Sequence, residues 1–150
     1  MKLAIPAFVL AALILCPLGS RSVASPVDGV WHSPDDNAEI ELFDCGDKLC
    51  GRLLSSDHLK AHPETADLRN TNTALRSRQI KGLVIVSALS GGPTTWRGGK
   101  LYRPLDGHTY DGKLEVVDTK TLKVTGCVFA GLCDSQTWIW IRPSQGSTNR

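Results

Sequence analysis

The sequence predicts an all-β domain: a single up-and-down antiparallel β-barrel of about eight strands, with one long loop that has room for a short helix. Three observations lead there. Apolar and polar residues alternate with period two, as in Glu39-Ile40-Glu41-Leu42-Phe43 and Thr121-Leu122-Lys123-Val124-Thr125. Clusters of Pro, Gly, Asp and Asn separate the alternating runs at short, regular intervals. Beyond the first 24 residues no helical periodicity of useful length occurs. Eight sequential strands suit a small closed barrel, whose closure removes the exposed edges of an open sheet.

Residues 1–24 read as a secretory leader and not as part of the fold. Lys2 gives a positive start, residues 3–15 are uncharged and apolar apart from the break at Pro6, and Ser22-Val23-Ala24 is a small-x-small cleavage site. The apolar run is too short for a bilayer span, and no later run is longer. A lipoprotein reading through Cys16 is disfavoured by the bulk of Leu15 before it. Residues 25–150 then form one domain, periplasmic or secreted, with cleavage after Ala24.

The strands follow in order. Residues 27–32 form the first, around Gly29-Val30-Trp31. The cluster Ser33-Pro34-Asp35-Asp36-Asn37 turns the chain. Residues 39–43 put Ile40 and Leu42 inward and the glutamates outward; a turn at Gly46 leads back along 49–54. Residues 55–78 have loop composition, with Asp67 and Asn70 placed to hold the loop in one shape. A loop of this length in a compact domain is often functional. Leu83-Val84-Ile85-Val86 is apolar throughout and reads as a central strand, broken at Gly91-Gly92-Pro93. The pairs Gly91-Gly92 and Gly98-Gly99 read as turns and close backbone approaches, so the next strand is placed at 100–103. Residues 104–107 turn into a strand at 109–117, and 118–120 turn into one at 121–125. The last strand runs over 135–142, and 143–150 is a polar tail.

The two ends of the domain are read as meeting. Trp31 must bury a large surface and satisfy its indole N–H. Arg142 ends the last strand and can stack a planar guanidinium on an aromatic ring. If first and last strands pair, Gly29, Trp31 and Arg142 close the sheet, with the arginine lying over the tryptophan.

Charge and cysteines limit the functional classes. Removing the leader takes Lys2 and Arg21 with it and leaves a neutral chain, which argues against sequence-independent nucleic-acid binding. The charges are segregated: residues 25–67 carry ten acids and three bases, while residues 68–103 carry seven bases and no acid. The favoured reading is that the two blocks neutralise each other across the fold; a cationic rim for an anionic ligand head is the sharper one. Four cysteines remain after cleavage, an even number in an exported chain, which points to disulfides. Three connectivities are possible. Each sequential pair flanks a hairpin tip, which favours Cys45–Cys50 and Cys127–Cys133.

With these pieces assembled, the chain resembles the exported bacterial proteins grouped as domain of unknown function 2147. The resemblance rests on Gly29-x-Trp31, Phe43-Asp44-Cys45-Gly46, Leu49-Cys50-Gly51-Arg52, Asp67-x-x-Asn70, Leu75-Arg76, Gly82-Leu83, Trp96, Gly98-Gly99-Lys100-Leu101-Tyr102-x-Pro104, Asp106-Gly107-x-Thr109-Tyr110, Gly126-Cys127 and Trp140-x-Arg142. It covers most of the domain and implies export but no reaction, since the family carries no assigned activity. Arg103 stands where an acid is expected in many relatives, and the proline expected soon after Asn70 is missing. A weaker likeness to the lipocalin-like calycins rests on Gly29-x-Trp31 and Arg142. That likeness implies a lipocalin-like barrel binding a small apolar ligand.

Catalytic signals are weak. His58 and His62 have the spacing of a metal pair on a helix, but Pro63 follows, and they read as solvated surface histidines. No serine sits in a nucleophile elbow, and oxidised cysteines are not thiolates. No catalytic residue, metal or cofactor is therefore expected. The leading expectation is a barrel that binds a small apolar or amphiphilic ligand. Trp96, Tyr102 and Tyr110 would line its mouth, with Arg76 or Arg97 as a carboxylate clamp. The alternative is a ligandless envelope module that meets a protein or polysaccharide; a hydrolase or metalloprotein comes third. Oligomeric state is left open.

Overall fold

A computed structural model describes residues 24–129 and 131–145. The leader read over residues 1–24 lies outside the described residues except for Ala24, as does the tail from residue 146. The chain forms eight strands: β1 (Gly29–Ser33), β2 (Ala38–Cys45), β3 (Lys48–Ser55), β4 (Val84–Gly91), β5 (Thr95–Arg103), β6 (His108–Asp118), β7 (Thr121–Cys127) and β8 (Cys133–Arg142). Each pairs antiparallel with the next, and β1 pairs with β8, so the sheet is a closed up-and-down barrel. Among the described residues one short helix, α1 (Asp57–Ala61), and single 3₁₀ turns at Asp35–Asn37 and Thr73–Leu75 complete the structure.

The alternation in the sequence sets the faces. On β2, Ile40 and Leu42 are buried in the interior. Glu41 belongs to the outer face yet is only 6% exposed. Arg52 stands directly opposite on β3 and binds it through Nη2 at 2.5 Å and Nε at 2.6 Å, while lying 5.4 Å from the centre of the Phe43 ring. A cross-strand ion pair thus covers a position the alternation reads as solvent-facing.

Two strands are longer than the sequence implied. β4 continues to Gly91, and β5 starts at Thr95, so the Gly98-Gly99 pair lies inside β5 at a shift of register between Arg97 and Gly99. The glycines are a bulge within a strand and not a turn between strands.

Closure takes place at β1 and β8, with Val30 opposite Arg142 and Trp31 opposite Trp140. Gly29 makes it possible. Its φ is +147°, and a Cβ there would stand 3.0 Å from the Arg142 carbonyl oxygen and 3.0 Å from Trp140 Nε1. The stacked lid of Arg142 over Trp31 does not form. Arg142 instead donates from Nη2 to Glu39 Oε2 at 3.1 Å, linking β8 to β2 across β1. A carboxylate within reach attracts the guanidinium more strongly than a ring face does. Trp31 Nε1 donates to the Val27 carbonyl at 2.9 Å and so holds the segment before β1 against the barrel floor.

The up-and-down topology sorts the connections. The β2–β3, β4–β5 and β6–β7 turns lie at one end, with the segment leading into β1. That end is packed solid: Trp31, Leu42, Leu49, Leu89, Leu114 and Leu122 are at most 2% exposed. The Cys45–Cys50 disulfide pins a hairpin at this end and Cys127–Cys133 pins one at the other. Because Trp31 fills the floor and fixes the strand entering closure, Trp31→Ala is expected to lower the unfolding free energy by about 3–5 kcal/mol. Urea denaturation followed by circular dichroism reads this; a loss below about 1 kcal/mol shows that the floor does not depend on the indole.

Candidate functional site

The other end of the barrel is hollow. A cavity of about 500 Å³ opens there, within the range of small-molecule sites. Its walls are apolar, from inward positions such as Ile40, Leu53, Val86, Leu101, Val124 and Trp138. The rows that the packed end fills with large leucines are here lined by shorter or more distant side chains. Ala38 on β2 and Gly126 on β7 are examples.

The segment joining β3 to β4 covers part of this mouth. It opens with α1, whose N-cap Ser56 accepts the Leu59 N–H at 3.2 Å, and Leu59 is buried under it. Ala66 and Gln79 form an isolated antiparallel bridge, and Ile80 returns to the core. Ala66, Leu68 and Ile80 give the cavity an apolar roof.

Asp67 anchors the segment. Its side chain is fully buried and accepts bonds from Arg78 Nε and Nη2, both at 2.9 Å, from Asn70 Nδ2 at 2.8 Å and from the Tyr102 hydroxyl. Asn70 Nδ2 also reaches the Tyr102 oxygen at 3.0 Å, and the Arg78 guanidinium lies 5.2 Å from the Tyr102 ring centre. A buried carboxylate with this many donors is fully satisfied, so the segment is tied to β5. Burial comes first in pushing the Tyr102 hydroxyl up to about 12, with the bond to Asp67 and its charge adding to it. A second tie is steric. The Pro104-Leu105-Asp106-Gly107 turn packs so closely that a Cβ on Gly107, φ +77°, would overlap the Arg69 carbonyl.

At the rim Arg103 joins two turns. Nε donates to Asp35 Oδ2 at 2.8 Å, Nη2 to Asp35 Oδ1 at 3.4 Å, and Nη1 to Asp106 Oδ2 at 2.9 Å. Tyr110 donates to the same Asp106 oxygen at 2.7 Å. Burial pushes the Asp35 carboxyl up, but bonds from Arg103 and Gln136 and the Arg103 charge outweigh it and leave it below the usual aspartate value. Asp106 is likewise lowered: bonds from Tyr110, the His108 N–H and Arg103 overcome burial. The bond to Asp106, and then burial, raise Tyr110.

The residues expected at the mouth are divided by the structure. Tyr102 and Tyr110 line the cavity. Trp96 does not: it is buried at the packed end, where its ring meets Gly92 of the β4–β5 turn. Arg97, next along β5, faces outward and is exposed. Arg76 is exposed and donates from Nε to the Asn70 carbonyl at 2.8 Å, away from the cavity. The topology decides this, since an even-numbered hairpin turn falls at the floor. The polar rim of Arg103, Asp35 and Asp106 went unread in the sequence. An arginine ending a strand just before a Pro-Leu-Asp-Gly turn was the available signal. His58 borders the cavity and shares a hydrogen bond with Thr65 Oγ1 at 3.1 Å; the His58 and His62 ring centres are 5.1 Å apart.

Two titrations check these networks. The chain has two tyrosines, and both are shifted upward, so phenolate absorbance in the folded protein is expected to rise at higher pH than in the unfolded chain, with Tyr102 ionising near 12. In Asp67→Asn one tyrosine returns toward the ordinary value near 10. Asp35 and Asp106 work in the opposite sense. Their contribution to folding is complete above the unfolded value of about 3.9 and is lost as pH falls through the lower folded value. Carboxyl chemical shifts for these two aspartates are expected to move below pH 3.9; midpoints above it contradict the rim network.

A family model described as "Uncharacterized protein conserved in bacteria (DUF2147)" matches residues 29–139. No curated protein matches the chain. Among solved structures, the barrel is similar to one described as "Protein HP1028 from the human pathogen Helicobacter pylori belongs to the lipocalin family". The TM-score is 0.70 at 23% identity, over 78% of this chain and 84% of that one. The likeness is one of fold, a lipocalin-like barrel.

Proposed function

We propose a ligand-binding role for this chain, which belongs to the bacterial family DUF2147: an exported carrier of a small, largely apolar molecule held in the upper half of the barrel. The observation that carries the reading is the division of the interior. One half is packed to exclusion, while the other keeps a cavity of about 500 Å³ with apolar walls, a polar rim and an ordered cover. A core built only for stability gains nothing from such a void, since each unfilled volume costs dispersion contacts.

Export is part of the proposal. Two disulfides fit an oxidising compartment. Ser25 stands first after the expected cleavage point, and its backbone nitrogen lies 3.0 Å from Asp44 Oδ2. Cleavage after Ala24 would place the new ammonium on that carboxylate. A second reading, an interaction module without ligand, draws on the disulfide-pinned β7–β8 turn, where Phe129 is 79% and Leu132 63% exposed.

The test is native mass spectrometry of protein taken from the periplasm of its own host, joined to thermal shift with a panel of lipids and other amphiphiles. The expected species begins at Ser25, carries both disulfides and retains a small apolar molecule. Some panel member should raise the melting temperature. Ala38→Phe, which fills the cavity mouth, should abolish that rise while the protein stays folded. No bound species and no shift across the panel would leave the interaction module as the better account.

A further inference from the structure

The geometry points to a cationic head group: we propose that the cavity selects an amphiphile carrying an amine and rejects one carrying a carboxylate. This rests on the reading of the cavity as a ligand site. It reverses the anionic head expected from the basic block of the sequence.

The reason lies in the balance of charge at the rim, where Arg103 is fully paired and Arg69 is the lining arginine without a carboxylate partner among the described residues. Arg103 holds Asp35 with two of its nitrogens and Asp106 with the third. Arg69 Nη1 donates to the Leu105 carbonyl. The Tyr102 and Tyr110 hydroxyls donate to Asp67 and Asp106. A carboxylate entering here would meet one guanidinium not paired to an acid, that of Arg69, against a larger number of aspartates that repel it.

Asp36 and Asp134 both line the cavity. Asp36 accepts the His58 N–H at 3.2 Å, and Asp134 accepts the Ser135 N–H at 2.9 Å. Neither pairs with a cation among the described residues. The rim thus sets four carboxylates (Asp35, Asp36, Asp106 and Asp134) against the guanidiniums of Arg69 and Arg103. An ammonium at the mouth, with its chain along the apolar wall, would meet this excess directly.

The experiment compares three ligands with one twelve-carbon chain and different heads: dodecylamine, dodecanol and dodecanoate. Each is titrated below its micelle-forming concentration into the processed, disulfide-bonded protein at neutral pH and low salt, by calorimetry. The amine is expected to bind about tenfold or more tighter than the carboxylate, with the alcohol between them, and the gap should narrow as salt rises. The double variant Asp36→Asn with Asp134→Asn removes the two unpaired charges and leaves the Arg103 pairs intact. It should bring the amine to the affinity of the alcohol. A carboxylate that binds as tightly as the amine overturns the head-group assignment and leaves the cavity reading standing. So does an amine no tighter than the alcohol, or a double variant that changes nothing. If none of the three binds, the cavity reading itself fails, and the assignment with it.

Discussion

The backbone ladder between β1 and β8 is the constraint on which the rest depends. Without it the molecule would be a curled sheet with two unsatisfied edges and no interior. With it the inward positions of all eight strands face one another, and the apolar period in each strand becomes a shared core. The contact is narrow. It needs Gly29 to approach the Arg142 carbonyl and Trp140, and β1 is the shortest strand. The Arg142–Glu39 pair and the Trp31–Val27 bond reinforce it from either side. Closure is thus held by main-chain bonds, a steric allowance and two local polar contacts, and not by a single stacked pair.

Once closed, the barrel is unequal along its axis. Large leucines and two tryptophans, Trp31 and Trp96, exclude space at the floor. Toward the mouth the inward set includes Ala38 and Gly126, and the space is left open. The cover over that space owes its shape mainly to polar bonds, with Leu59 and Ile80 as its apolar footholds. Asp67 gathers donors from Arg78, Asn70 and Tyr102, so a buried charge organises a segment that carries little regular structure. Such a network is stable only when complete, which ties the cover to β5 as one unit.

The charge segregation along the chain resolves only in part into pairs between the two blocks. Arg78 with Asp67 and Arg103 with Asp35 each join the basic block to the acidic one. Arg76 and Arg97, the expected carboxylate clamp, take no part in these pairs and lie away from the cavity. At the mouth the aspartates outnumber the guanidiniums, and the electrostatic character of the site is set by this balance and not by the composition of either block.

The sequence by itself determined the number of strands, their order, the inward residues such as Ile40 and Leu42, and the identity of the long cover. Those features are local: side-chain period and turn chemistry act within a few residues. It also pointed to the two ends meeting, because a glycine before a tryptophan and an arginine closing the last strand mark an unusual contact. The tertiary structure alone decided which end is filled, and therefore that Trp96 belongs to the floor and Tyr102 to the mouth. It alone decided that Arg142 turns to Glu39, that Arg52 shields Glu41 and that Arg103 is shared by two aspartates. Each of these joins residues from different strands or turns, and which charge meets which depends on register and distance. A linear pattern of residues carries neither.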